Sequence, residues 1–217
     1  MKAVVVADGE PDARDADRLV DADLIVAADG GARWLDAMGI RPHLLVGDLD
    51  SVDAHVIERL AADGVAIERH PADKDASDAE LALDRALASG ADEVAVLGAL
   101  GGERLDHELA NLLLLADPSR RVRDLRVVRG GTVVRALQGG ERLSLRGAIG
   151  DLVSLLPIGG EAEGVRTAGL RFPLDGESLR LGPSRGLSNV ITDQPASVSL
   201  ERGTLLVVET ASEEERS

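Results

Sequence analysis

The sequence has no cysteine and no tyrosine, and only one phenylalanine and one tryptophan among 217 residues. Without cysteine, disulfides, thiolate metal sites and a cysteine nucleophile are excluded, and the composition is consistent with a cytoplasmic protein. With so little aromatic area, a core must be built from leucine, valine, isoleucine and alanine, for which a hydrophobic content of 44% is sufficient. The length allows one large domain or two small ones.

Positive charge is also scarce. The chain has 39 acidic and 24 basic residues, and its net charge of −15 argues against a nucleic-acid or anionic-membrane partner. No apolar run approaches the length of a membrane span, and the first eight residues turn acidic too early for a secretory signal. Lys2 and Lys74 are the only lysines. Because arginine does not replace lysine where a compact point charge is needed, Lys74 is a candidate functional residue.

Strand-like and helix-like patterns alternate over residues 1–130. The predicted strands cover residues 3–7, 24–28, 44–46, 65–68, 94–97 and 125–128. The predicted helices cover a segment ending at residue 38 and residues 53–62, 78–89 and 106–116. This alternation predicts an α/β domain with a mostly parallel sheet flanked by helices.

After Gly131 the pattern changes to short strands separated by Gly, Pro or Asp. They are predicted at residues 132–137, 142–145, 152–156, 165–170, 178–181, 197–200 and 205–208. Regular short strands with turn signals predict an all-β domain, sandwich or barrel-like, over residues 131–211. Residues 212–217 are predicted to be a disordered tail.

The segment that follows the third predicted strand carries two carboxylates, Asp48 and Asp50. Residues spaced i, i+2 point the same way while a strand persists, so the pair can share one cation. Without a cation they would repel by roughly 4 kcal/mol at 4 Å and an effective dielectric near 20. The alternative is a solvated turn in which Asp50 or Ser51 caps the next helix.

Other predicted strands also end in loops rich in glycine and aspartate. In a parallel sheet these loops share one edge, where ligands bind. In Asp29-Gly30-Gly31, the glycines allow a backbone to approach a phosphate at a helix N-terminus, or Asp29 simply caps the helix. Ser77 and Glu80 have the spacing of a capping box, but this does not explain Lys74 just before it.

The longest glycine-dense loop covers residues 98–107. In it Arg104 can bind phosphate oxygens, and Asp106 can cap the next helix or accept a proton; His107 alone is weak evidence. The excess of carboxylates along this edge would repel ATP unless a divalent ion intervened, and hard carboxylate oxygens suit Mg²⁺. The residues therefore predict a Mg²⁺-dependent enzyme that acts on a phosphorylated ligand.

Five motifs, taken in their order along the chain, resemble those of the thiamine pyrophosphokinase family. They are Asp29-Gly30-Gly31-Ala32, Gly47-Asp48-Leu49-Asp50-Ser51, Lys74-Asp75-Ala76-Ser77-Asp78-Ala79-Glu80, Gly101-Gly102-Glu103-Arg104-Leu105-Asp106-His107 with Asn111, and Gly186-Leu187-Ser188-Asn189. Each motif is modest alone, but the ordered set is specific and spans most of the chain.

The resemblance implies transfer of the terminal pyrophosphoryl group of ATP to the hydroxyl of thiamine, with release of AMP, by in-line displacement at the β-phosphorus. It implies that residues 1–130 bind ATP and Mg²⁺, that the all-β domain helps to bind thiamine, and that the protein is a homodimer with its active sites at the subunit interface.

The resemblance also implies roles for individual residues. The Mg²⁺ ligands would be Asp48, Asp50 and Asp78. Lys74 and Arg104 would neutralise charge on the phosphates, and Asp106 would lie near the thiamine hydroxyl. The three metal ligands, the two cations and Asp106 form the implied catalytic set. The implied nucleotide-binding residues are Asp29, Gly30, Gly31, Lys74, Gly101, Gly102, Arg104, His107 and Asn111. The implied thiamine-binding residues are Asp106, Phe172, Ser188 and Asn189.

Three positions depart from the family pattern. Glu103 separates Gly102 from Arg104, Asp8 stands where asparagine is common, and Phe172 stands where some members have a tryptophan that stacks on thiamine.

Three other functions stay open at this point. A related pyrophosphokinase acting on a hydroxymethylpterin would share the donor chemistry. A haloacid-dehalogenase-type phosphatase would use Asp48 of Asp48-Leu49-Asp50 as its nucleophile, although that motif normally follows the first strand. A non-catalytic thiamine or nucleotide sensor would leave ATP unchanged.

Overall fold

The structure is a computed structural model that describes residues 1–212. The chain divides into two compact units, Met1–Gly130 and Gly131–Ser217. Of the predicted tail, residues 213–217 lie outside the described part, whereas the backbone N–H of Ser212 donates to Asp151 Oδ1 at 2.8 Å. Every helix between residues 1 and 212 is too short or too polar to cross a membrane.

The first unit contains a six-stranded sheet. Its strands are β1 (Lys2–Val6), β2 (Leu24–Ala28), β3 (Leu44–Gly47), β4 (Ala66–Arg69), β5 (Glu93–Leu97) and β6 (Asp124–Arg129). Their order in the sheet is β6-β5-β1-β2-β3-β4, and each neighbouring pair is parallel. Apart from their first residue, β1, β2, β3 and β5 are buried throughout, as expected for a parallel sheet covered on both faces.

The helices connect these strands. They are α1 (Asp17–Val20), α2 (Gly31–Ala37), α3 (Ala54–Ala62), α4 (Asp78–Ala88) and α5 (Leu105–Leu114). The α/β class is confirmed, but the sequence pattern missed α1 and the 3₁₀ turn before it. Helix α4 begins at the predicted cap, where Ser77 Oγ accepts from the backbone N–H of Glu80 at 3.2 Å. It buries alanines and Leu83 against the sheet, while Leu81 and Leu87 are only half-buried.

Strand β1 lies between β2 and β5, so the chain changes direction along the sheet at this point. In open α/β sheets the crevice at such a switch point, outside the carboxyl ends of the strands, is where ligands bind. Helix α2 approaches β1 very closely here: a Cβ on Gly31 would lie 2.1 Å from the carbonyl oxygen of Val6. Gly31 is therefore required by the packing of helix on strand.

The second unit is all-β between residues 131 and 212, as predicted. Its strands are β7 (Thr132–Gln138), β8 (Arg142–Ser144), β9 (Leu152–Pro157), β10 (Ala162–Ala168), β11 (Asp175–Leu179), β12 (Asn189–Val190), β13 (Ser197–Ser199) and β14 (Thr204–Thr210). They form two antiparallel groups in the orders β12-β9-β14-β7 and β11-β10-β13-β8. The sequence pattern missed only β12, which has two residues.

The core of the second unit is aliphatic and draws buried residues from both groups of strands. It also contains a buried ion pair between Arg135 of β7 and Glu209 of β14. Glu209 Oε2 accepts the backbone N–H groups of Arg146 and Gly147 at 2.6 and 2.9 Å. The ion pair therefore connects the loop at Arg146 and Gly147 to strands β7 and β14.

Candidate active site

A cavity of about 820 Å³ lies at the carboxyl edge of the parallel sheet. Nine of the predicted site residues line it: Asp29, Asp48, Asp50, Lys74, Asp78, Gly102, Arg104, His107 and Asn111. Four others of the first unit, Gly30, Gly31, Gly101 and Asp106, do not. The loops after β1, β2, β3 and β5 and the segment before α4 thus converge on one cavity, as the loop pattern predicted.

Three carboxylates meet in this cavity: Asp29, Asp48 and Asp78 each offer one oxygen, and these oxygens all lie within 4.8 Å of one another. The grouping differs from the predicted set of Asp48, Asp50 and Asp78, because Asp29 takes the place of Asp50. The reason is local geometry: β3 ends at Gly47, and Leu49 has a φ of +66°. The strand rule that aligns residues i and i+2 therefore no longer applies at Asp50.

Asp50 is exposed at the rim of the same cavity. Its backbone N–H donates to Asp48 Oδ1 at 3.3 Å, and its own Oδ1 accepts from the hydroxyl of Ser51 at 3.1 Å. Helix α3 begins at Ala54, and its N-cap, Asp53, makes no side-chain cap. The alternative of a turn in which Asp50 or Ser51 caps α3 is therefore wrong.

Asp29 is the most buried of the three carboxylates, with 7% of its surface exposed. It does not cap α2, since the N-cap position belongs to Gly30 and carries no side-chain hydrogen bond. Within residues 1–212, Asp29 Oδ1 accepts no hydrogen bond although it is fully buried. Burial raises the pKa of Asp29, and the charges of Asp78 and Asp48 raise it further.

Lys74 lies against the acidic group. Its Nζ is 3.1 Å from Asp78 Oδ1 and 3.5 Å from Asp48 Oδ2, and only 14% of its side chain is exposed. Partial burial alone would lower the pKa of Lys74, but the two carboxylates raise it overall. The pKa of Asp48 is lowered, first by the N–H of Asp50 and then by Lys74. Lys74 is therefore a cation that Asp48 and Asp78 hold in place.

The donor set fits a magnesium ion. Three carboxylates each bring one oxygen into the group, Asp29 Oδ1 is buried without a hydrogen bond in the described chain, and Asp78 Oδ1 is contacted by Lys74. A Cβ on Gly47 would lie 3.0 Å from Asp78 Oδ1 and 3.0 Å from Asp29 Cβ, so the strand end has room for these groups only as glycine. Hard oxygen ligands with space for water are what Mg²⁺ requires.

The cavity is also lined by residues that the sequence does not assign to the site, among them Asp8 and Arg33. Arg33 donates from Nη2 to Asp8 Oδ1 at 2.6 Å, and both line the cavity. A Cβ on Gly30 would lie 1.9 Å from this Asp8 oxygen, so Gly30 makes room for the carboxylate. In the sequence, Asp8 stands out only as a departure from the family pattern. Arg33 could have been found from its place in the first turn of α2, two residues after Gly31.

The glycine-dense loop after β5 is fastened to α5. The Asn111 side chain donates to the carbonyl oxygen of Ala99, and Glu108 Oε1 accepts from the N–H of Gly101, both at 3.0 Å. Arg104 and Asp106 form an exposed two-point ion pair, with hydrogen bonds of 3.0 and 2.6 Å. Arg104 lowers the pKa of Asp106 to about 2. Asn111 therefore supports the loop, whereas Arg104 reaches the cavity.

The three remaining predicted residues belong to the second unit. Phe172 and Ser188 are exposed there. Asn189 is buried, and its side-chain amide is hydrogen-bonded to the main chain of Phe172.

Comparison with known proteins gives a consistent result. A family model described as thiamin pyrophosphokinase, catalytic domain, matches residues 16–128, just over half of the chain. A second, described as thiamin pyrophosphokinase, vitamin B1 binding domain, matches residues 142–205.

Individual proteins agree with these models. The chain is 26% identical to a thiamine pyrophosphokinase from Bacillus subtilis over 185 residues, which cover 85% of this chain and 86% of the relative. A crystal structure of thiamine pyrophosphokinase from Bacillus subtilis has the same fold, with a TM-score of 0.86, 23% identity and coverage of 97% and 99% of the two chains. The structure of the Geobacillus thermodenitrificans enzyme matches with a TM-score of 0.82, 25% identity and coverage of 98% of each chain.

Proposed function

Because the chain belongs to the thiamin pyrophosphokinase family, we propose that it transfers the pyrophosphoryl group of ATP to the hydroxyl of thiamine. The products are thiamine diphosphate and AMP. The observation that carries this proposal is the cavity in which Asp29, Asp48 and Asp78 meet beside Lys74. The pterin and phosphatase alternatives are not favoured, since both family models are of one family, and Asp48 follows the third strand of the chain.

The metal proposal follows from the acidic group. Asp29, Asp48 and Asp78 would hold Mg²⁺, and Asp50 lies exposed at the rim of the same cavity. Bound there, Mg²⁺ would neutralise phosphate oxygens of ATP. Residues 1–130 would form the ATP- and Mg²⁺-binding domain, and residues 131–211 the thiamine-binding domain.

The basic residues act on the phosphates. Lys74 is held by two carboxylates, so its ammonium group is oriented before the nucleotide arrives. Arg104 is exposed and can turn from Asp106 to the phosphate oxygens. As the thiamine oxygen bonds to the β-phosphorus, the bond from this phosphorus to the oxygen bridging the α- and β-phosphates breaks. The negative charge that leaves with AMP is stabilised by these two cations.

Asp106 is the group we place at the thiamine hydroxyl. While it is paired with Arg104 its pKa is about 2, which makes it a poor acceptor for the hydroxyl proton. When Arg104 moves to a phosphate, the pKa of Asp106 returns toward the ordinary carboxyl value of about 3.9. Binding of ATP would thus make Asp106 a better base.

We also propose a cytoplasmic homodimer in which a second copy covers α5. Leu105, Leu109 and Leu113 are 67%, 53% and 55% exposed, and at spacings of four residues they form one apolar stripe of this helix. The stripe begins beside Arg104, so a copy bound there would border the cavity. In analytical ultracentrifugation, Leu109→Glu should give a monomer. Val20→Glu, at an apolar residue that is 81% exposed on α1, should leave the dimer intact.

Phosphorus NMR tests the function directly. Protein incubated with ATP, Mg²⁺ and thiamine should produce AMP and thiamine diphosphate, whereas a phosphatase would release inorganic phosphate. Unchanged ATP after long incubation would overturn the proposal in favour of a sensor. Formation of AMP with a hydroxymethylpterin but not with thiamine would overturn the assigned acceptor.

A further inference from the structure

The single phenylalanine of the chain, Phe172, is 62% exposed in the second unit. It belongs to the segment between β10 and β11, within the region matched by the vitamin B1 binding model. One exposed apolar residue is normal on a protein surface and does not by itself indicate a site. The way in which the main chain of Phe172 is held does require an explanation.

The side chain of Asn189 makes three hydrogen bonds, two of them to Phe172. Its Nδ2 donates to the carbonyl oxygen of Phe172 at 2.7 Å, and its Oδ1 accepts the N–H of Phe172 at 3.0 Å. Oδ1 also accepts the N–H of Val190 at 2.9 Å. Asn189 is only 7% exposed, and all three of these hydrogen bonds join its side-chain amide to main-chain groups of the protein.

These bonds extend a pairing that the main chain has already begun. Leu170 forms an isolated β-bridge with Ile191, and the N–H of Arg171 donates to the carbonyl oxygen of Val190 at 2.9 Å. At Phe172 the side-chain amide of Asn189 takes the place of the next main-chain partner. Asn189 itself is paired with Val153 of β9, so Phe172 is fixed to the sheet.

The turn before Asn189 is strained. Ser188 has a φ of +56°, in the left-handed region that residues other than glycine rarely adopt, and its N–H donates to Ser154 Oγ at 3.1 Å. Strained backbone persists where the surrounding structure requires it, which is common at ligand sites. Here it leads the chain into β12 with the Asn189 amide facing the Phe172 segment.

We propose that Asn189 is a positioning residue for Phe172 and does not contact the ligand itself. By fixing the Phe172 main chain, it presents the exposed ring as an immobile flat surface for a cationic aromatic ligand. This inference rests on the proposed function, in which that ligand is thiamine. Stacking with an aromatic, positively charged ring is favourable for such a surface. The proposal replaces the direct contact between Asn189 and thiamine that the family resemblance implies.

The first test uses fluorine NMR. Because the chain has one phenylalanine, incorporation of 4-fluorophenylalanine gives a single resonance that reports on residue 172. Without ligand, Asn189→Ala should narrow this resonance and move it toward the position of the free amino acid. In the parent protein thiamine should shift the resonance, and in Asn189→Ala the shift should need at least tenfold more thiamine.

A matched control is Thr192→Val, which removes another tie between the same two segments. Thr192 Oγ1 donates to the carbonyl oxygen of Gly169 at 3.4 Å, away from Phe172. This variant should keep the parent resonance and its response to thiamine. If Asn189→Ala unfolds in a urea titration, Asn189→Asp, which keeps both bonds accepted by Oδ1, takes its place.

Kinetics give the second test. Asn189→Ala and Phe172→Ala should each raise the KM for thiamine about tenfold and leave the KM for ATP unchanged. The double variant should be no worse than Phe172→Ala alone, because both changes remove the same contact. A KM for thiamine in the double variant that equals the product of the two single effects would overturn the proposal. A fluorine resonance in Asn189→Ala that matches the parent would also overturn it. If the parent makes no AMP, the proposed function fails, yet the ligand-free spectra still test the role of Asn189.

Discussion

Replacement of Asp29 with asparagine tests the acidic group most directly. The substitution removes one of three converging negative charges and keeps the shape of the side chain. In the absence of a divalent ion we expect the Asp29→Asn variant to have a higher free energy of unfolding than the parent protein. In its presence we expect the variant to gain much less stability than the parent, because a ligand of the ion is gone.

The size of the effect follows from the distances. Two unit charges 4.8 Å apart, the upper limit in this group, repel by roughly 3.5 kcal/mol at an effective dielectric of about 20. Asp29 faces two such charges, and Lys74 offsets part of the repulsion. We therefore expect a gain of about 1–3 kcal/mol, or roughly 2–4 °C in Tm for each kcal/mol in a chain of this size.

The stability gained by the Asp29→Asn substitution depends on pH, and the direction of this dependence follows from the raised pKa of Asp29. Because the pKa of Asp29 is raised in the folded protein, the folded state holds this proton more tightly than the unfolded state. That contribution to stability is complete below the ordinary carboxyl pKa of about 3.9 and is lost as the pH rises through the raised value. The gain from Asp29→Asn should thus be largest near pH 8 and vanish toward pH 4.

Thermal unfolding with EDTA or with millimolar MgCl₂ measures both effects. Asp53→Asn is the control for the charge change, since Asp53 is exposed and makes no side-chain cap. An equal gain in Asp53→Asn would show that net charge alone is responsible. If Asp50→Asn abolished stabilisation by Mg²⁺ while Asp29→Asn preserved it, the grouping of Asp29 with Asp48 and Asp78 would be refuted.

Three further changes have defined outcomes. Gly47→Ala should reduce AMP formation by more than about tenfold, because the new Cβ crowds the acidic group; full activity would show that the strand end can adjust. Glu209→Gln should lower the free energy of unfolding in urea by about 3–5 kcal/mol, since Arg135 would keep a buried charge without its partner; a loss below 1 kcal/mol would contradict this. Arg104→Gln should return the pKa of Asp106 from about 2 to about 3.9, measured by carbon NMR of the carboxyl group; a pKa still near 2 would mean that Arg104 is not the cause.

Much of the fold could be predicted from the sequence because its signals are local. Apolar runs such as residues 24–28 mark buried parallel strands, and glycine or aspartate after each run marks where the strand ends. The same signals predicted that the loops share one edge, which is a property of parallel topology. Short elements were missed because a two-residue strand such as β12 has no periodicity, and its pairing partner, β9, lies more than 30 residues away.

The site was harder because it depends on directions that spacing does not encode. The spacing of Asp29 predicts a helix cap or a phosphate-loop residue, but its φ of +42° leads the chain into α2 with Gly30 as the cap. Asp50 was grouped with Asp48 by a strand rule that fails once the strand has ended. Asn189 was assigned to the ligand from its motif, and only the hydrogen bonds to Phe172 indicate a supporting role.

The contact of Lys74 with Asp48 and Asp78 means that the acidic group has a counter-ion supplied by the chain itself. A metal would compete with this tethered ammonium group for the same two carboxylates, so metal alone should bind weakly. A nucleotide changes the balance, because its phosphates give the lysine another anion to contact and leave the carboxylates to the metal. Metal and nucleotide are thus expected to enter together, each improving the binding of the other.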